Sequence, residues 1–150
     1  MKSDTKEAVE KGKAHFQETL GNLPEPIRAM MEHTPDVFAG YLKFREAIYQ
    51  EPGQGGHLDL KTKEMLYTLL DIVTGNLDGA KNHGDAAFRA GMTSGELAEG
   101  CMIVMHVCGV TTWGKTGFHV VDHIAEKAEV TEKEVSKEEL EKAVEELDNE

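Results

Sequence analysis

His83 lies in the segment GNLDGAKNHGDAAFRAG, residues 75–91, which is rich in Gly, Ala and short polar residues. Its neighbours three and four positions away are Gly79, Ala80, Ala86 and Ala87, all small. On a helix these residues share the imidazole's face, and so small a face lets another backbone approach closely. The pattern places His83 at a tight helix contact. A buried imidazole there needs a hydrogen-bond partner. Two kinds of partner fit: a backbone carbonyl, which makes His83 structural, or a carboxylate, which makes it a candidate for proton transfer.

The carboxylate on offer is Glu64. With Thr68 and Asp71 it forms an i, i+4, i+7 stripe on a segment otherwise rich in Leu, Ile and Met. Such a stripe is either the solvated side of the helix or a polar lining turned towards a cavity, and the pattern leaves both open. A histidine with a pKa near 6.5 suits proton transfer close to neutral pH, and an adjacent carboxylate can orient its tautomer or share the proton. Asp78, His106 and His119 are the further candidates for lining a pocket around that pair. His106, with Met102, Ile103, Gly109 and Val110 at helical spacing, is expected to be largely buried. His119 and His123 stand four apart, a spacing that can bind a metal, but no third ligand is identifiable nearby, so no metal site is assigned. His15, His33 and His57 have no supporting pattern.

Other chemistries lack their residues. The chain has no Walker-type glycine loop, no dinucleotide-binding glycine fingerprint after a strand, no nucleophile elbow and no CxxC pair. No cofactor is expected. Cys101 and Cys108 stand seven apart in a helical segment, which puts their Cα atoms about 10 Å apart at ~1.5 Å per residue. A disulfide needs less than about 7 Å, so both read as reduced core thiols.

The elements that carry these residues have helical rather than strand period. Val9, Phe16 and Leu20 mark a first helix over residues 4–20. PEPIRAMMEHTP gives a short second helix, with Pro26 in its first turn and Pro35 preventing continuation. Residues 36–50 carry Val37, Tyr41, Phe44 and Ile48 as one apolar face. The glycine-rich EPGQGGHLDL is a loop. A helix over 60–75 is apolar on most sides and therefore central. Helices follow from Asp78 to about Ala90, with Gly91 as a left-handed cap, from the Thr93–Glu96 capping box to about 109, and over 111–128. An acidic helix over 132–148, poor in large apolar groups (Leu140, Val144, Leu147), closes the chain and is expected to pack weakly.

The chain of 150 residues suits one domain with a real core. The expected fold class is all-α: a single-domain helical bundle with an acidic C-terminal helix. Within it, residues 1–54 form an N-terminal helical segment, 55–128 the core and 129–150 the tail. A net charge of -12 disfavours nucleic acid and anionic membrane as partners, since both would repel it. The opening MKSDTKEAVEKGK is polar and no apolar h-region follows it, so no secretory signal is expected. No run reaches the roughly 18 apolar residues of a membrane span. The expected location is cytoplasmic.

LDLKTKEMLYTLLDIVTGNLDGAKNHGDAAFRAGMTSGELAEG, followed by CGVTTWGKTGFHVV, resembles the carboxymuconolactone decarboxylase family, which includes the alkylhydroperoxidase D-like proteins. The resemblance covers roughly residues 55–125. It rests on Lys-x-Glu on one helix, a histidine on the next, then Ala-Ala, Gly-Met-Thr and an acidic pair. It implies an alkylhydroperoxidase D-like helical fold and a homo-oligomer, a trimer or hexamer, with sites near subunit contacts. Redox members carry a Glu twelve residues before a CxxC and a His four residues after it. On this chain those positions fall on Glu64 and His83, while the two cysteines fall on Asn76 and Gly79. Thiol chemistry needs the sulfur, so peroxidase and disulfide reductase activity are not expected. The decarboxylase branch implies cofactor-free proton handling by histidine and carboxylate groups. Where that branch tends to carry an acidic residue before the His, this chain has Gly79, with Asp78 one position earlier.

Three functions follow as expectations. The first is a cofactor-independent decarboxylase (a carbon–carbon lyase) or isomerase acting on a small organic acid through Glu64 and His83. The second is a non-catalytic helical oligomer that binds a small ligand or partner. The third is a metal-dependent function at His119 and His123.

Overall fold

The computed structural model describes residues 3–148, and among them every regular element is helical. The helices are α1 (Ser3–Leu20), α2 (Glu25–His33), α3 (Pro35–Ile48), α4 (Leu60–Thr74), α5 (Leu77–Arg89) and α6 (Ser94–Cys108). The short α7 (Val110–Thr112) then runs through a wider π-type turn (Trp113–Gly117) into the long α8 (Phe118–Asp148). A single bridge from Pro52 to Gly56 is the one extended pairing among the described residues.

Side chains near the helix ends fix where these segments start and stop. The Asp59 carboxylate accepts from the Thr62 N–H at 2.8 Å and starts α4. The Thr93–Glu96 box forms as expected: Glu96 N–H donates to Thr93 Oγ1 at 3.1 Å, and Thr93 N–H donates to Glu96 Oε2 at 2.8 Å. Gly91 takes the left-handed backbone at φ 98°.

The long loop between α3 and α4 returns the chain so that α4 and α5 form a tight hairpin, the most extensive helix pairing in the molecule. Two hydrophobic clusters flank it. One packs Ile72, Ala87, Leu97, Val120 and Ile124 between α4, α5, α6 and α8. The other packs Phe16, Leu20, Met31, Phe38 and Leu42 between α1, α2 and α3, and closes on Ala86. Ala86 and Ala87 thus face different clusters, and α5 is the wall shared by both. Its small side chains are what let α1, α4 and α8 all approach it.

Two expectations need correction, on α3 and α8, and an alternative left open on α4 is decided. The apolar face of α3 is displaced by one residue: Phe38, Leu42, Arg45 and Tyr49 are buried, whereas Val37 and Phe44 are 63% and 65% exposed. The displacement lets the Arg45 guanidinium lie over the rings of Phe16 and Tyr49 (4.3 and 4.2 Å to the centroids), so a charged residue sits on the inner face. On α4 the polar stripe is the buried one, with Glu64 and Thr68 at 0% exposure, while Leu66, Leu70 and Val73 lie outside. Finally, the acidic tail is no separate helix, because α8 continues unbroken through residues 129–131. Residues 131–139 are exposed along it, and the side chains of Leu140, Val144 and Leu147 lie outside the described residues.

The register of α3 can be tested directly. Phe38→Ala removes a ring with no solvent contact, and is expected to lower the unfolding free energy by about 3–5 kcal/mol. Urea unfolding should show a lower midpoint at an unchanged slope. A variant as stable as the parent would contradict the observed face.

Candidate active site

Glu64 sits one turn into α4, and its side chain has no solvent exposure. A carboxylate removed from water is tolerated only when fixed partners replace the lost hydration, and both of its oxygens have one. Oε2 lies 2.6 Å from His83 Nδ1 on α5. Oε1 accepts from the Tyr49 hydroxyl, just beyond the end of α3, at 2.5 Å. The Thr68 hydroxyl donates to the Glu64 backbone carbonyl at 2.8 Å, so the one other buried polar group of the stripe is also satisfied.

Rings hold the geometry. Tyr67 stacks on His83 with centroids 4.7 Å apart and planes 16° from parallel. Tyr49 stacks on Tyr67 at 6.0 Å and 11°. His15 of α1 meets the Tyr49 ring edge-on at 5.4 Å, and Arg45 lies over that same ring. Burial, reinforced by the Glu64 charge, pushes the Tyr49 phenol far above its ordinary range, so it remains a protonated donor. Burial likewise raises Tyr67. Burial and then the Arg45 charge lower His15, which favours its neutral form.

The outcome is a hydroxyl–carboxylate–imidazole chain running outwards. Glu64 is sealed, whereas the His83 side chain keeps 14% of its surface exposed. Nδ1 is committed to Glu64, which leaves Nε2 as the ring nitrogen free to meet a reactant. A groove of about 470 Å³ shares Tyr67 with this cluster and is lined also by His57, Leu58, Lys63, Leu66 and Leu70.

Glu64 and His83 are brought together; the other candidates are not. Asp78 and His119 are exposed, and the imidazole of His119 touches the Phe118 ring. His106 is exposed rather than buried, because Met102, Ile103 and Val110 around it are themselves on the surface. His123 turns from His119 to Asp85, with Nε2 2.8 Å from Oδ1, and Lys127 holds the second oxygen of Asp85 at 3.1 Å. Among the described residues no group of three or more His, Cys, Asp or Glu side chains gathers to hold a metal.

Tyr49, Tyr67, Arg45 and His15 are members that sequence reasoning missed. Tyr67 could have been found, since it stands three residues after Glu64 on the same helix. Tyr49 could not, because its position depends on the α3 register.

The positions at which redox relatives would carry cysteines serve another purpose here. The Asn76 side chain caps α5 by accepting from the Gly79 N–H at 3.2 Å, and donates to Asp71 at 3.1 Å. A Cβ on Gly79 would collide with the Asn76 and Asp71 side chains. Cys101 is buried as expected, and burial pushes its thiol up to about 11. Cys108 is exposed, a correction to its expected place in the core.

Comparison with known proteins agrees with this fold. The model of the carboxymuconolactone decarboxylase family matches residues 35–123, a span that contains Tyr49, Glu64, Tyr67 and His83. A crystal structure of a Burkholderia xenovorans LB400 protein, assigned as a carboxymuconolactone decarboxylase, superposes with a TM-score of 0.78 at 30% identity. The match covers 89% of this chain and 98% of that one. No curated protein is significantly similar to the chain. The chain belongs to the carboxymuconolactone decarboxylase family.

Proposed function

We propose that the protein is a cofactor-independent decarboxylase or isomerase of a small organic acid, with Glu64 and His83 handling the proton. The observation that carries this reading is the 2.6 Å contact between His83 Nδ1 and a carboxylate that has no access to water. A histidine satisfied by a backbone carbonyl would have been structural; this one is bonded to an ionisable partner and remains partly open.

In a decarboxylation the bond to the carboxyl carbon breaks, CO2 leaves, and the electron pair passes onto an adjacent carbonyl of the substrate. The carbon must then gain a proton, and this reading assigns its delivery to His83 Nε2. In an isomerisation the same nitrogen removes a proton from one carbon and returns it to another. Glu64 orients the ring and balances the imidazolium charge. Tyr49 donates to the other carboxylate oxygen, which restrains Glu64 from turning away from His83. With Asn76 and Gly79 in the cysteine positions, this reading involves no thiol chemistry.

The reading includes self-association as a trimer or hexamer, in the cytoplasm. Support comes from apolar side chains that a single chain leaves uncovered: Val37 and Phe44 on α3, and Met102, Ile103 and Val107 on α6. Large exposed apolar faces of this kind mark contact surfaces. No described helix is long and apolar enough to cross a membrane.

Two experiments test the proposal. In a screen of small carboxylic acids, His83→Gln is expected to lower turnover of any substrate found by at least ~10²-fold, with an unchanged circular dichroism spectrum. Persistent turnover would remove His83 from the reaction. Light scattering behind size-exclusion chromatography is expected to give a multiple of the 16.5 kDa chain mass; a monomer would contradict the oligomer.

A further inference from the structure

Lys63 is 7% exposed; its charge acts on the Asp59 carboxylate, but no carboxylate among the described residues lies within ion-pair distance of it. Its ammonium donates to the Gln50 backbone carbonyl at 2.5 Å. An ammonium has three donors, so this one contact leaves donor capacity unused. The same residue lines the groove that reaches Tyr67, where Leu58, Leu66 and Leu70 supply an apolar wall and no carboxylate takes part. A carboxylate-free groove is notable in a chain with 28 Asp and Glu residues. The overall charge of -12 repels anions at long range, so capture of an anion depends on a local cation, and Lys63 is the ammonium-bearing residue that lines this groove.

We infer that this groove binds a monocarboxylic acid with an apolar body, its carboxylate on Lys63 and its chain against Leu58, Leu66 and Leu70. The inference stands apart from the Glu64–His83 reading: it assigns a ligand class to a groove that meets that cluster only at Tyr67. Charge complementarity selects the anion. The apolar wall offers no partner to a second charge, so a dicarboxylate of the same length sets its other carboxylate unpaired against leucine side chains. The groove volume of about 470 Å³ falls within the usual range of small-ligand sites. Tyr67 lines the groove and stacks on His83, which does not itself line it, so the groove adjoins the Glu64–His83 cluster through that one ring.

The test uses octanoate, octan-1-ol and octanedioate as probes, with calorimetry and amide chemical shifts as readouts. Octanoate is expected to shift the amides of Lys63, Leu66 and Leu70. It should bind roughly tenfold or more tightly than either octan-1-ol or octanedioate. Lys63→Met is expected to weaken octanoate by a similar factor, and Lys63→Arg to retain most of the affinity. Equal binding of octanoate and octan-1-ol would overturn the inference. So would an unaffected Lys63→Met, or no binding because a second copy of the chain covers the groove. The comparison of probes on the unaltered protein reads the charge without any variant, so a misfolded Lys63→Met would not rescue the idea. Binding is measured without turnover, so the two readings fail separately. Octanoate binding with active His83→Gln would sink only the proton relay; absent binding with inactive His83→Gln would sink only the groove.

Discussion

A carboxylate cut off from water must be held by donors that the fold fixes in place, and Glu64 sets that requirement for the whole molecule. Its two oxygens need α3 to end with Tyr49 in reach and α5 to present His83 at hydrogen-bond distance. Both conditions restrict the packing. The α4–α5 hairpin must be close, which only small residues on α5 allow, and α3 must turn Tyr49 rather than Ile48 fully inwards. Removing either partner would leave a buried charge uncompensated, a far larger cost than losing one hydrogen bond.

The same constraint explains the placement of polar and apolar surface. In α4 the polar stripe is turned inwards to serve Glu64, and the leucines are displaced to the outside. Arg45 is drawn into the interior, where its guanidinium lies on the Tyr49 ring and donates to Thr19 Oγ1 at 3.1 Å. Its Nε and His15 Nε2 are buried without a partner among the described residues. The interior around the pair is therefore more polar than the hydrophobic pattern alone would suggest, and the single chain keeps apolar faces exposed.

Much of this was legible in the sequence. Helix limits were readable because Pro26, Pro35, the Thr93–Glu96 box and Gly91 act locally, through backbone geometry and caps. The Glu64–His83 pairing was readable because small residues around His83 imply a close helix, and the family resemblance identifies the partner. Periodicity failed where it reports an apolar face without saying what covers it. Val37, Tyr41, Phe44 and Ile48 form the more apolar face of α3, yet the fold buries the adjacent one, with an arginine in it, because rings from α1 and α3 receive the guanidinium. His106 shows the same weakness: its apolar neighbours form a surface that one chain leaves open. The continuity of α8 was missed because TEKE, residues 131–134, reads as a helix start and suits a helix interior equally well.

The most direct measurement is nitrogen-edited NMR of the histidine rings, comparing the parent with Glu64→Leu. If Glu64 holds His83 as described, one ring proton, on His83 Nδ1, is protected from solvent exchange in the parent and loses that protection in the variant. A His83 ring with no protected Nδ1 proton, or one whose protection survives Glu64→Leu, would contradict the account.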